Sequence, residues 1–156
     1  MRALGLLLLF FSVSSLGVLR AGTMERGLKQ EEAFLSLLGR MRMQISCYHR
    51  PLDEIYAGFS GIEPEFDTIL RERGLEAALT QCGDALALSS RAAGLMREFA
   101  AQTGKSDASE QVRLCEETAG ALRECLKAER AALPGKKRVC LTLSLSGAAM
   151  AVLLCL

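Results

Sequence analysis

Residues 139–156 read VCLTLSLSGAAMAVLLCL, eighteen residues without a charge, and Lys136, Lys137 and Arg138 stand directly before them. As a helix this stretch spans roughly 27 Å, close to the ~30 Å hydrocarbon core of a bilayer. Thr142, Ser144 and Ser146 do not forbid insertion, because their hydroxyls can bond back to carbonyls of the preceding turn. Gly147, Ala148, Ala149 and Ala151 form a row of small residues on which a second membrane helix can pack. The competing reading is a buried core helix or a frayed apolar tail, but a terminal run fenced by three cations fits a transmembrane anchor better. The expectation is a C-terminal anchor over 139–156.

A second uncharged stretch, ALGLLLLFFSVSSLGVL, occupies residues 3–19. A secretory signal peptide competes for it, yet the run is long for such a signal and the region 14–17 offers only a weak cleavage site. Flanking charge separates the two. Arg2 alone precedes the run, whereas Arg20, Arg26 and Lys29 follow it. The positive-inside rule then places the central region in the cytoplasm and both termini outside. Lys136, Lys137 and Arg138 give the same answer independently. Residues 1–20 are read as an N-terminal anchor, 21–138 as a cytoplasmic domain, and 139–156 as the second anchor.

The middle holds about 115 residues, enough for one compact domain and too few for two. A net charge of +1 does not suit an electrostatic nucleic-acid binder. The absence of Trp, the scarcity of other aromatics and the abundance of Ala, Leu, Glu and Arg favour helix over sheet.

Leu28, Phe34, Leu35, Leu38, Met41, Ile45 and Tyr48 fall at helical spacing over 25–48, with Glu31, Glu32, Arg40 and Arg42 off the stripe. Little punctuation separates this helix from the first anchor, and Pro51 ends it. Pro51, followed by Asp53 and Glu54, suits the start of a short helix over 52–59. A Pro and acids again open the segment 63–73, which Gly74 interrupts before a short helix over 75–82. Residues 86–102 form a fourth helical region, and 103–107 (TGKSD) a loop. A long helix over 108–133 follows, stopped by Pro134–Gly135. The fold class is therefore all-α: an antiparallel helical bundle flanked by N- and C-terminal transmembrane helices.

Chemistry-bearing constellations are few. Gly104–Lys105–Ser106 resembles the tail of a phosphate-binding loop, but Phe99 stands where the first glycine belongs, and a helix precedes the loop instead of a strand. The segment reads as a turn, with Ser106 or Asp107 as the next N-cap. His49, the single histidine, follows Cys47 and Tyr48 on a helix end, where neighbours point in different directions and cannot pair for catalysis. The six cysteines show no metal-ligand spacing, and a cytoplasmic middle keeps them reduced. No catalytic residue, metal ligand or cofactor is expected.

The stretches Gln44–Ile45–Ser46 with Pro51–Leu52, and Phe99 with Gly104, Ser106, Asp107 and Gln111, resemble stage III sporulation protein AB of endospore-forming bacteria. The order of elements is shared across essentially the whole chain. Gln44 stands where the family usually has Glu, and Cys47 where it usually has an aromatic residue.

The resemblance implies a non-enzymatic platform protein in a transenvelope, secretion-like complex, set in the mother-cell membrane around the forespore. It is similar to the inner-membrane platform component of type II secretion machines. The implied partners are a cytosolic secretion-type ATPase and further membrane subunits. Pro51, Leu52, Ser106, Asp107 and Gln111 are carried over as turn-forming or docking residues, and Arg20, Lys136, Lys137 and Arg138 are the basic membrane flanks. The alternative is an exported helical protein with a cleaved signal peptide and a C-terminal anchor, which predicts oxidised pairs among Cys47, Cys82, Cys115 and Cys125.

Overall fold

The computed structural model contains five helices: α1 (Arg2–Tyr48), α2 (Leu52–Ala57), α3 (Pro64–Cys82), α4 (Ser90–Gln102) and α5 (Ala108–Leu154). It describes the backbone of residues 2–154 and the side chains of 15, 19, 20, 22–147 and 150. No strand occurs among the described residues, as the all-α reading requires. Most of the expected N-terminal anchor, and Ala148, Ala149 and Ala151 of the small-residue row, lie outside the described side chains. Among the described residues no helix is long and apolar enough to cross a membrane.

The chain divides into two compact units, residues 27–128 and the paired ends 1–26 with 129–156. The first unit holds the core. Phe34, Leu37, Leu38 and Met41 of α1 are fully buried, together with Phe66 and Leu70 of α3, Met96 of α4 and Leu122 of α5. Phe34 and Phe66 meet edge to face, with ring centroids 5.5 Å apart and planes at 82°, a favoured aromatic geometry. The buried stripe of α1 takes in Leu37, and Tyr48 leaves it, 62% exposed at the helix end.

The short elements start and stop for local reasons. α1 ends at Tyr48, and His49 takes the left-handed conformation (φ 49°) that closes many helices. α2 carries Asp53 and Glu54 in its first turn, favourable against the helix dipole. Pro64 opens α3, and the buried Asp67 carboxylate accepts from the backbone N–H of Gly61 (2.8 Å) and Ile62 (3.3 Å). Gly74 breaks α3 internally at φ 83°, ψ 178°, as its position predicts.

Three expectations need correction. The expected helical region 86–102 begins only at Ser90; Leu86 and Leu88 lie in the connection from α3, with Leu86 packed into the core. Pro134–Gly135 does not stop the last helix, because α5 continues to Leu154 with Pro134 inside it. A helix-interior proline costs about 3 kcal/mol locally. Here Pro134 is solvent-exposed, where water can reach the backbone around it, and the chain stays helical on both sides. The third correction concerns Glu31, placed off the apolar stripe by its charge. It is 1% exposed, and the neighbouring Gln30 is 3% exposed.

In the unit formed by the two ends, Lys137 pairs with Glu25, and Lys136 lies 3.9 Å from Glu129. The hydroxyls of the apolar segment return to the backbone as expected. Thr142 donates to the Arg138 carbonyl (2.8 Å), Ser144 to Leu141 (3.0 Å) and Ser146 to Thr142 (2.9 Å). Val139, Leu141, Leu143, Leu145 and Met150 are exposed.

Candidate docking site at the α4–α5 turn

The turn between α4 and α5 is built by the residues the sequence singled out. α4 ends as the Thr103 N–H and hydroxyl both donate to the Phe99 carbonyl, at 2.9 and 2.7 Å. Gly104 follows at φ 81°, a conformation that favours glycine. A Cβ at that position would stand 3.5 Å from Leu52 Cδ1, so the start of α2 packs against the turn. Asp107 caps α5: its Oδ1 accepts from the Glu110 N–H (3.0 Å) and its Oδ2 from the Ser109 hydroxyl (3.0 Å). Gln111 is buried, and its Nε2 donates to Ser106 Oγ at 2.9 Å and to the Gln102 carbonyl at 3.4 Å.

Leu52, Ser106, Asp107 and Gln111 are therefore brought together at one end of the 27–128 unit, and Pro51 immediately precedes Leu52 as the residue leading into α2. Their hydrogen bonds and contacts go to making the turn. Arg20, Lys136, Lys137 and Arg138 belong to the other unit.

Beside the turn lies an open groove of about 280 Å³ lined by Gln102, Lys105, Ser106, Glu110, Arg113, Leu114 and Glu117. A second groove of about 240 Å³ shares Gln102, Leu114 and Glu117 with it and adds Leu95, Glu98, Phe99, Thr118 and Ala121. Together they make a trough between α4 and α5 with an apolar floor and a charged rim. Arg113 bonds Glu110 at 2.9 Å and lies 3.8 Å from Glu117, so one cation is shared by two carboxylates and that part of the rim keeps a net negative charge. Of these lining residues the sequence reading carried over Ser106 alone as a docking residue. Glu110, Leu114, Glu117 and Ala121 recur at helical spacing, a face that periodicity alone could have located.

No group of acidic, Cys or His side chains able to hold a metal occurs among the described residues. Cys115 is buried, and burial, reinforced by the Glu116 carboxylate, pushes its thiol up to about 11, which keeps it neutral.

Comparison with protein families matches the model of stage III sporulation protein AB over residues 2–156. No curated protein and no solved structure matches the chain.

Proposed function

The chain belongs to the stage III sporulation protein AB family, and on that premise we propose that it is a non-enzymatic platform of a secretion-like sporulation complex, anchored in the mother-cell membrane by residues 1–20 and 139–156. In this reading the 27–128 unit lies in the cytoplasm and docks a cytosolic secretion-type ATPase through the α4–α5 turn and its trough. The complex's further membrane subunits meet the anchors. The family match makes the chain a sporulation protein, and the trough is the observation that carries the docking role. It is an extended, partly apolar face whose edge is stiffened by the Asp107 cap and the Gln111–Ser106 bond. The membrane reading is supported by the exposed Val139, Leu141, Leu143 and Leu145 on a segment whose hydroxyls are satisfied by its own backbone.

Two measurements test this. Lys105 stands exposed on the rim of the trough. Lys105→Glu is expected to weaken co-purification of the ATPase at least tenfold, whereas Arg71→Glu on the exposed face of α3 leaves it unchanged. Equal binding by both variants removes the trough from the interface. For topology, Ser60→Cys in a Cys47→Ser background is expected to resist an impermeant maleimide until sporulating cells are permeabilised. Labelling of intact cells would overturn the cytoplasmic assignment and favour an exported, C-terminally anchored protein.

A further inference from the structure

Helix α4 has no acidic residue in its first turn, so nothing on α4 itself offsets the partial positive charge of its N-terminus. The offset comes from α1. Glu31, only 1% exposed, accepts two hydrogen bonds at Oε1, from the Ser89 backbone N–H at 3.2 Å and the Ser89 hydroxyl at 2.8 Å. Ser89 Oγ in turn accepts from the Ala92 N–H at 3.3 Å, as the N-cap of α4. A relay thus runs from a buried carboxylate on one helix, through a hydroxyl, to the first turn of another.

The neighbouring residue makes a second tie. Gln30 Oε1 accepts from the Ala87 N–H at 2.8 Å, and Gln30 Nε2 donates to Glu63 Oε1 at 2.9 Å. Between them Gln30 and Glu31 hold the connections α2–α3 and α3–α4 against one turn of α1. Gly27, one turn earlier, lets the Ala87 carbonyl approach where a Cβ would collide with it. A buried carboxylate costs several kcal/mol unless its charge is compensated. Here a helix dipole and a charge-assisted hydroxyl compensate it at Oε1, while Oε2 is buried without a hydrogen-bond partner.

We propose that Glu31 is the N-capping anion of α4 supplied from α1, and that it acts as a latch fixing α4 in position. α4 contributes Leu95, Glu98, Phe99 and Gln102 to the trough. Releasing the latch therefore loosens that wall, and a displacement of α1 is felt where a partner docks. This consequence for docking rests on the function proposed above, but the latch itself does not.

The test is hydrogen–deuterium exchange on the full-length chain in detergent micelles, with no partner present. Glu31→Leu, which keeps bulk and removes the acceptor, is expected to speed exchange at least tenfold in the first turn of α4, including Ala92 and Ala93. Protection of α5 around Leu122 should stay unchanged. Glu31→Gln, which keeps shape and an acceptor but loses the charge, is expected to give a smaller increase and guards against a variant that fails to fold. The decisive arm is Glu31→Leu combined with Arg91→Glu, which puts an acid into the exposed first turn of α4. If Glu31 acts through its charge on that helix end, the second change restores at least half of the lost protection. Wild-type protection in Glu31→Leu, acceleration spread equally through α5, or no recovery with Arg91→Glu would each overturn the latch. Because no partner enters the measurement, failure of ATPase docking to appear elsewhere leaves its result untouched.

Discussion

Leu52 Cδ1 lies 3.5 Å from the point where a Cβ on Gly104 would stand, joining the start of α2 to the turn between α4 and α5. The contact itself would tolerate a methyl group. The backbone would not, because φ at Gly104 is 81°, where an L side chain is strained by about 1–2 kcal/mol. Gly104→Ala is therefore expected to lower stability by that amount in urea unfolding of the full-length chain. Leu52→Ala, which removes a half-buried side chain from the same junction, should cost about 2 kcal/mol or more.

Asp107 is a cap, and its variants need to be read as such. Losing the two bonds its carboxylate accepts is expected to cost about 1 kcal/mol in Asp107→Ala, with Asp107→Asn close to wild type. Asp107→Lys should be worse than alanine, because it adds a cation at a helix N-terminus. Weakened ATPase binding in Asp107→Lys would then report a frayed α5, which is why Lys105 is the cleaner probe of docking. Unfolding midpoints of the three variants in that order check the assignment.

Much of the fold was legible because its signals are local. Pro64 with its following acids, Gly74 at the break in α3 and the 103–107 turn each act within a few residues, and the structure places them as read. Glu31 was not legible. In the run Gln30–Glu31–Glu32 charge argues for a solvated face, and only the missing acid on α4, some sixty positions away, explains why one carboxylate turns inward. Pro134 misled in the opposite sense, since its penalty is local while the helical preference on both sides of it is summed over many residues. The trough escaped notice because it needs two helices, and the pattern of α5 alone shows only half of it.

Two glycines of α1 should respond to alanine with opposite signs. At Gly27 a new Cβ runs into the Ala87 carbonyl, a backbone atom that cannot swing aside. Gly27→Ala is expected to destabilise by about 1–3 kcal/mol through forced displacement of the α3–α4 connection. At Gly39 a Cβ meets nothing within 4 Å, on an exposed part of the helix. Gly39→Ala should stabilise by about 0.5–1 kcal/mol, because glycine loses more backbone freedom on forming a helix. Thermal unfolding of both variants reads the two signs directly.

The cysteines yield a dependence on pH. Cys47 is exposed, while Cys82, Cys115 and Cys125 are buried, so a thiol reagent near pH 8 should modify Cys47 in the folded chain and those three only on unfolding. Burial, followed by the Glu116 carboxylate, raises the Cys115 thiol from its usual value of 9.0 to about 11. A raised folded value means that the fold favours the protonated, neutral form. Its contribution is complete below pH 9 and is lost as the pH climbs through the window from 9.0 to about 11, where the unfolded chain releases the proton first. Tyr56 is also pushed up by burial, with Cys115 and Asp53 as smaller causes, so its own loss begins about one unit higher. The measurement is the urea midpoint against pH for the wild-type chain and Cys115→Ala. The variant should start lower near pH 8, because a buried side chain is truncated, and then fall less steeply between pH 9 and 11. Parallel curves across that window would show that Cys115 does not titrate with unfolding and that the alkaline loss belongs to other groups raised by burial, Tyr56 and Cys82.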